Sequence, residues 1–343
     1  MKNIIAVFVL ISSLLFAAGC SNDFDMYADY KDITIVYSMV DISTDTTWVK
    51  ITKAYTGPGN ALLMAQNPDS SNYPYKLDAS IVGKKNGSNL DPIVLDTLTI
   101  HNKPITDTII NENGDTTIIN PFYSPNQLVY YGVGSLDKEA EYTLSINKND
   151  SELTASTNLV NSFSVTSPVN RIAFTDSPTS PDGKIEWHST KHGIRYEVLL
   201  RFNYLELSPG QEDTLKKHVD WFLGVVVAKS GNGDEELVET YSGPQFYSLL
   251  ESELEPIPNV QRWVDDVDIT IASGSQTLAT YLDINAGTGS LLDEVPTYSN
   301  ISGGSGIFAS RYTTEKSILV SVITERTLVL DYDLGFKYKT KEL

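Results

Sequence analysis

From Asp32 onward the chain alternates apolar and polar residues with a period of two, in one short run after another. Ile33, Ile35 and Tyr37 interleave with Thr34, Val36 and Ser38, "DISTDTT" supplies turn residues, and a second run spans Trp48 to Tyr55. Tyr142, Leu144 and Ile146 share one face, "NKND" turns the chain, and Leu153 with Ala155 returns, which is the pattern of a hairpin. Between these lie "IVLDTLTI", "DTIINENGDTTIIN" with Asn113-Gly114 at its tip, and "QLVYYGVG". Strands this short and this frequent predict a β-sandwich over 32–166, with "GNALLMAQNPD" (59–69) as one helical interruption.

A second sandwich is expected over 167–343. "SPVNRIAFTDSPTSPDG" is rich in Pro, Ser and Asp, as a linker and first edge strand would be. "KIEWHST" and "IRYEVLLRFNYLEL" read as adjacent strands, and "VDWFLGVVVAKSGNGDEELVETYSG" as a hairpin turning at Gly231-Asn232-Gly233-Asp234. A Trp on an early strand, with Tyr196 opening the next, is similar to fibronectin-type or immunoglobulin-like sandwiches. In "GPQFYSLLESELEPIP", Pro244 suits the first helical position, and Phe246, Leu249, Leu250 and Leu254 form one apolar face. "VDITIAS" follows as a strand, and "SQTLATYLDIN" is a short helix or another strand. The expected class is therefore all-β: two immunoglobulin- or fibronectin-like β-sandwich domains with one or two short helices.

The 343 residues suffice for two cores, and 41% hydrophobic with 20% charged residues argues against disorder. One cysteine excludes an intramolecular disulfide and a cysteine-based zinc site, so packing and sheet hydrogen bonds must supply stability. The net charge of −19 repels phosphate backbones and anionic head groups, which disfavours nucleic acid as a partner.

The lone cysteine, Cys20, ends a distinct leader. Lys2 is the only charge before Asp23, Ile4 to Phe16 are apolar apart from Ser12 and Ser13, and Ala17-Ala18-Gly19 are small. As a helix the apolar run reaches about 20 Å, short of the roughly 30 Å of bilayer hydrocarbon. An export signal over 1–19 is expected, cleaved between Gly19 and Cys20. The small residues ending on Cys20 resemble a bacterial lipobox, in which the cysteine sulfur takes a diacylglyceryl group and the new amine is acylated. Ala17 departs from that pattern, where Leu is commoner. Residues 20–31 would then be a lipidated tether, and two or three acyl chains anchor a protein durably. Asp23 and Asp25 resemble the surface-export signal of Bacteroidota-type lipoproteins. An ordinary free cysteine near a signal peptide is the alternative.

Catalytic signatures are absent from the sequence. There is no G-x-S-x-G elbow and no G-x-x-x-x-G-K-[ST] phosphate loop, and "GGSGIF" lacks a βαβ context. Cys20, once alkylated, cannot attack a substrate. His188 and His192 stand four apart as helical zinc ligands do, yet "HSTKHG" lies between two strands and reads as a solvated hairpin loop. Asp266 and Asp268 share a strand face with Thr270, beside Asp265, while Val267, Ile269 and Ile271 take the other. A solvated face accounts for them, and Ca²⁺ is the alternative, without EF-hand spacing. Nineteen tyrosines and four tryptophans fill cores or line a sugar platform, and the sequence does not say which are exposed.

Residues 294–312, "EVPTYSNISGGSGIFASRY", and the early "ITIVYSMVD…TTWVKITKAYTGPGNALLMAQNPDSSNY" resemble an uncharacterised outer-membrane lipoprotein family of Bacteroidota-type bacteria. Its genes often neighbour those of TonB-dependent receptors. The resemblance implies a membrane-anchored partner of such a receptor and carries no catalytic residues. Gly303, Gly304 and Gly306 allow positive φ or close backbone approach, in a structural loop or a ligand-contacting one. The expectation is a lipid-anchored, non-enzymatic binding or accessory protein of the outer membrane, facing outward, without metal or cofactor. A structural or adhesive surface protein is the alternative, and a glycan- or peptide-degrading enzyme a more distant one.

Overall fold

The computed structural model describes residues 33–54, 67–101, 107–110, 116–119, 127–149, 151–177, 179–286 and 298–339. Among the described residues nineteen strands and four helices follow in chain order. The first are β1 (Ile33–Asp41), β2 (Thr46–Ala54), the single-turn helix α1 (Pro68–Ser71), β3 (Asp78–Lys85), β4 (Ser88–Asn89), β5 (Ile93–Val94) and β6 (Asp96–Ile100). Next come β7 (Asp107–Ile110), β8 (Thr116–Ile119), β9 (Gln127–Val133), β10 (Glu141–Lys148) and β11 (Ser151–Asn158). Then follow β12 (Val165–Ser167), β13 (Arg171–Ile172), β14 (Gly183–His188), β15 (Arg195–Leu207), β16 (Leu215–Val227) and β17 (Glu236–Tyr241). The chain closes with α2 (Gly243–Glu253), β18 (Gln261–Gly274), α3 (Gln276–Ala286), β19 (Ser305–Val320) and α4 (Val322–Leu330).

The fold is all-β and sandwich-like, with two cores under one large sheet. That nine-stranded sheet runs β16-β15-β18-β19-β1-β2-β9-β6, with β13 also on β19. A five-stranded sheet, β11-β10-β3-β4 with β5 on β3, closes the first core. Val36, Val40, Val49 and Ile51 of the large sheet meet Ile81, Tyr142, Leu144, Ile146 and Leu153 across it. The alternation expected for β10 and β11 is present, and they pair Leu144 with Ala155.

The second core lies under the other half of the large sheet, covered by β12-β14-β17 together with α2 and α4. It is aromatic: Phe174 stacks on Phe246 at 3.8 Å, and Trp187 lies 5.9 Å from Tyr196. Phe246, Tyr247 and Leu250 give α2 its buried face, with Leu249 partly buried beside them and Leu254 buried at the C-cap. Ser321 caps α4 by accepting a hydrogen bond from the Thr324 amide.

Two sequence expectations are corrected. "KIEWHST" and "IRYEVLLRFNYLEL" are not neighbours in a sheet: β14 pairs with β12 and β17, whereas β15 pairs with β16 and β18. Their apolar faces meet across the core instead, so the 189–194 connection steps from one layer to the other. For the same reason β16 and β17 do not form a hairpin, because the turn at 231–234 carries the chain between sheets. Gly233 and Asp234 take positive φ there, and the Asp234 amide donates to the Ser189 carbonyl at 2.9 Å.

β19 ties the two halves together. Its first residues run parallel to β1, from Ile35 opposite Ser305 to Asp41 opposite Arg311. Its later residues run antiparallel to β18, and Arg171 and Ile172 of β13 pair with Leu319 and Val320. Hydrogen-bonded sheet therefore crosses the boundary that the sequence suggests at 166/167. Even-numbered β19 residues face inward throughout: Phe308 enters the first core, Ile318 and Val320 the second. On the opposite side, Ile307 and Ala309 are covered by Leu278 of α3.

Candidate ligand-binding face

The outer face of the large sheet changes character along its length. Over β1, β2, β9 and β6 it carries a run of aromatic, Met and aliphatic side chains, with Asp96 opposite Tyr131 paired to Lys76 at its margin. Odd residues of β1 point outward, leaving Tyr37 46% and Met39 42% exposed, while Thr34, Val36, Ser38 and Val40 are buried. Trp48 is 45% exposed on β2 and lies opposite Tyr131 of β9, their ring centroids 5.6 Å apart and their planes at 37°. Leu98 of β6 lies opposite Val129, and Val133 is exposed at the end of β9. Tyr281 of α3 packs edge-on against Tyr37 at 6.5 Å. Lys50, opposite Tyr37, reaches back to donate to the Leu128 carbonyl at 3.1 Å. The result is a shelf of aromatic rings, Met and aliphatic side chains bounded on one side by α3.

Over β16, β15, β18 and β19 the same outer face is mostly polar and internally paired, with Phe222 and Leu319 as its exposed apolar side chains. Arg201 grips Asp220 with two hydrogen bonds of 2.7 and 2.9 Å. Asn203 donates to Asp266 at 2.8 Å and to Asp268 at 2.7 Å, and Ser317 donates to Asp268. A register shift between Phe202 and Tyr204 places Asp265 and Asp266 together opposite Asn203, which brings the acidic run to one point. A depression of about 270 Å³ lies there, lined by Asn203, Lys216, His218, Asp265, Asp266 and Asp268. Lys339 pairs with Asp265 at 2.9 Å, and Lys216 lies 3.8 Å from it. Among the described residues no group of three or more His, Cys, Asp or Glu is placed to hold a metal.

Beneath this polar half sits a buried ion pair. Glu206 and Arg262 side chains are each 2% exposed and meet at 2.8 Å, and Lys217 reaches the same carboxylate at 2.6 Å. Arg262 also donates to the carbonyls of Leu334 and Glu255, fastening the end of the chain to β18. Burial opposes ionisation of Glu206, but the hydrogen bonds from Lys217 and Arg262 outweigh it and hold the carboxyl below its usual range.

The other sequence candidates fall in separate places. Cys20 and Gly19 lie outside the described residues, as do the 20–31 tether and the Asn113-Gly114 tip. His188 ends β14 and is exposed, whereas His192 is half-buried at φ 65°, and the two line different depressions. Their loop joins two layers and is not a hairpin. Burial, with Lys191 adding to it, holds the His192 imidazole below its ordinary value against the pull of Glu139. Gly303, Gly304 and Gly306 lead the chain into β19. A methyl group on Gly306, at φ 110°, would sit 2.0 Å from the Val36 carbonyl oxygen, and one on Gly304 would sit 2.8 Å from that of Thr34. Parallel pairing with β1 requires this approach of two backbones.

The aromatic shelf is the feature that reading the sequence left unlocated. A signal for it exists in β1, where Ile35, Tyr37 and Met39 make the outward set as apolar as the inward one. A strand apolar on both faces has more to bury than one core can take.

No family model and no curated protein matches the chain. Similar solved structures include the C-terminal globular domain of an oligosaccharyltransferase from Pyrococcus abyssi, at 9% identity and a TM-score of 0.27. That match covers 85% of this chain and 50% of the other, so the chain spans half the length of that structure. A biofilm-associated protein BSP domain matches at 10% identity and TM-score 0.17 over 92% of this chain and 66% of that one. CBD12 from CALX1.2 matches at 7% and 0.16, over 82% and 100%.

Proposed function

We propose that this chain is a lipid-anchored, non-enzymatic binding or accessory protein of the outer membrane, working beside a receptor or transporter. The observation that carries the binding role is the shelf of exposed Tyr37, Met39 and Trp48, with half-buried Tyr131 beside them, on one half of the large sheet's outer face. Contiguous apolar surface of this kind, rich in aromatic residues and Met and poor in free charge, is what a partner protein buries. The anchor rests on the leader and Cys20, and the placement beside a receptor rests on the resemblance to the lipoprotein family. No helix among the described residues is long and apolar enough to cross a membrane. Attachment through Cys20 is therefore the link to the bilayer in this reading.

Both parts are testable. Cys20→Ser should release the protein from membranes and abolish labelling by fatty acid; a membrane-bound Ser variant would refute the anchor. Added protease should shave the protein from intact cells, and full protection would place it on the periplasmic side. The anchored chain should co-purify with a β-barrel receptor, and the double change Trp48→Ala with Tyr131→Ala should abolish that while leaving the chain folded. Unchanged co-purification by the double variant would remove the shelf from the function.

A further inference from the structure

The face that carries the aromatic shelf already holds one helix. α3 lies over β19, with Leu278 packed on Ile307 and Ala309 and with Tyr281 and Leu282 beside it. Tyr37 and Met39 of β1 stand directly opposite Ile307 and Ala309 in the parallel pair, so the surface beneath α3 runs without a break into the shelf. α3 thus rests on one part of a continuous apolar strip, and Met39 and Trp48 are exposed on the next part.

α3 also turns an apolar side towards that remainder. Asp283 reaches Arg195 of β15 at 2.9 Å, on the side of β19 away from the shelf. Tyr281 leans the other way, onto Tyr37, and Ile284, three positions on, shares its side of the helix. Both are half-buried and together wall the shelf along one margin.

The spacing of wall and floor fits a second helix. β2 is two strands from β19 in the sheet, about 9.6 Å away at a strand spacing of about 4.8 Å. Packed helices lie about 8–10 Å apart, so a helix set beside α3 lies along β2. Trp48 is then its floor, with Tyr37 and Met39 of β1 on one flank and Tyr131 of β9 on the other. From Thr46 to Lys50 that floor runs about 13 Å, the length of a helix of about nine residues. Charges at the margin are already paired, Lys76 with Asp96 and Arg311 with Asp41, so the seat selects an apolar stripe and not a charge.

We propose that the shelf seats an amphipathic helix of a partner protein, laid along β2 beside α3. α3 itself supplies the pattern: Leu278, Tyr281 and Leu282 stand at i, i+3 and i+4, and through them this same face already holds a helix. The partner presents large apolar side chains at the same spacing to Trp48, Tyr37 and Tyr131. This rests on the shelf as the binding surface and adds what binds there and in which seat.

The test titrates the chain carrying Cys20→Ser with a synthetic peptide of about eighteen residues, long enough for a helix. Leucines stand at i, i+3, i+4 and i+7 in each half, with glutamate and lysine in equal number elsewhere, and the peptide is used where it stays monomeric. Two controls have the same composition, one scrambled and one with leucine at every second position, as a strand would carry it. By calorimetry the helical peptide should bind, and both controls should bind about tenfold more weakly or not at all. Tyr281→Ala with Ile284→Ala, which removes the wall, and Trp48→Ala with Tyr131→Ala, which removes the floor, should each weaken binding about tenfold. Loss in the floor variant alone leaves the shelf as the binding surface and overturns the seat beside α3. Equal binding of all three peptides, or no binding of the helical one, overturns the helix. A parent chain that dimerises in sedimentation equilibrium, and returns to monomer with the floor variant, makes a second copy the occupant and overturns the partner. Circular dichroism matching the parent excludes unfolding as the reason for any loss.

Discussion

The two halves of the large sheet are inverted with respect to one another. Over the first core the large sheet's inner face carries aliphatic Val36 and Val49, which meet Ile81 and Leu144 of the five-stranded sheet, and its outer face carries Tyr37, Trp48 and Tyr131. Over the second core aromatic Phe202 and Tyr204 of the inner face meet Phe174, Trp187 and Phe246 from the covering layer, and the outer face carries paired charges. The second arrangement is what folding alone rewards, since large rings are buried and ions stay in water. The first keeps rings outside over a core that is complete without them. That surplus is what supports the proposed binding role of the first half.

The sharpest way to break the comparison is to truncate rings on the inside and outside and compare the costs. Trp187→Ala removes a fully buried ring and should cost ~3–5 kcal/mol in denaturant unfolding, from lost burial and the cavity left behind. Arg262→Met strips the buried Glu206 of one of its two cations and frees the carbonyls of Leu334 and Glu255; a loss of about 3–5 kcal/mol is expected. Adding Glu206→Gln to Arg262→Met should recover part of it, because the unpaired buried charge goes as well.

Acid should remove the contribution of the buried Glu206 carboxylate. Glu206 has its folded pKa lowered, so its contribution is present above the unfolded value of about 4.3 and is lost as pH falls through the lower folded value. Stability measured against pH should therefore fall less steeply below about pH 4.3 in Glu206→Gln than in the parent chain. The smallest stability effect should come from Trp48→Ala or Tyr131→Ala, no more than about 1 kcal/mol each, because these rings cover no core. A cost near that of Trp187→Ala would mean that the shelf is part of the folding core.

Much of the architecture is legible in local sequence. Alternation finds β10 and β11, Pro244 and the Phe246–Leu250 spacing find α2, and a period-two reading of 266–271 separates buried Ile269 from half-buried Asp268. What local pattern does not hold is which strand lies beside which. β14 and β15 have the same alternation whether they pair in one sheet or face across a core, and only the packing of Trp187 on Tyr196 decides it. Parallel pairing of β1 with β19 joins residues about 270 positions apart in the chain, beyond the reach of any turn signal. Its trace in the sequence is the glycine cluster before Ile307, which admits β1 at close approach. The shelf was hidden for the same reason, since the exposed face of β1 is known only once its neighbours are.

That β19 makes the two cores one cooperative body is tested most directly by Phe308→Ala followed by native-state hydrogen exchange. Phe308 is fully buried in the first core and touches the second only through the strand that carries it. Amides of Leu144 and Ile146 in the first core, and of Ile269 and Ile271 in the second, should lose protection by the same amount, about 3–5 kcal/mol. Loss confined to Leu144 and Ile146, with Ile269 and Ile271 unchanged, would contradict it and leave two sandwiches that merely share a strand.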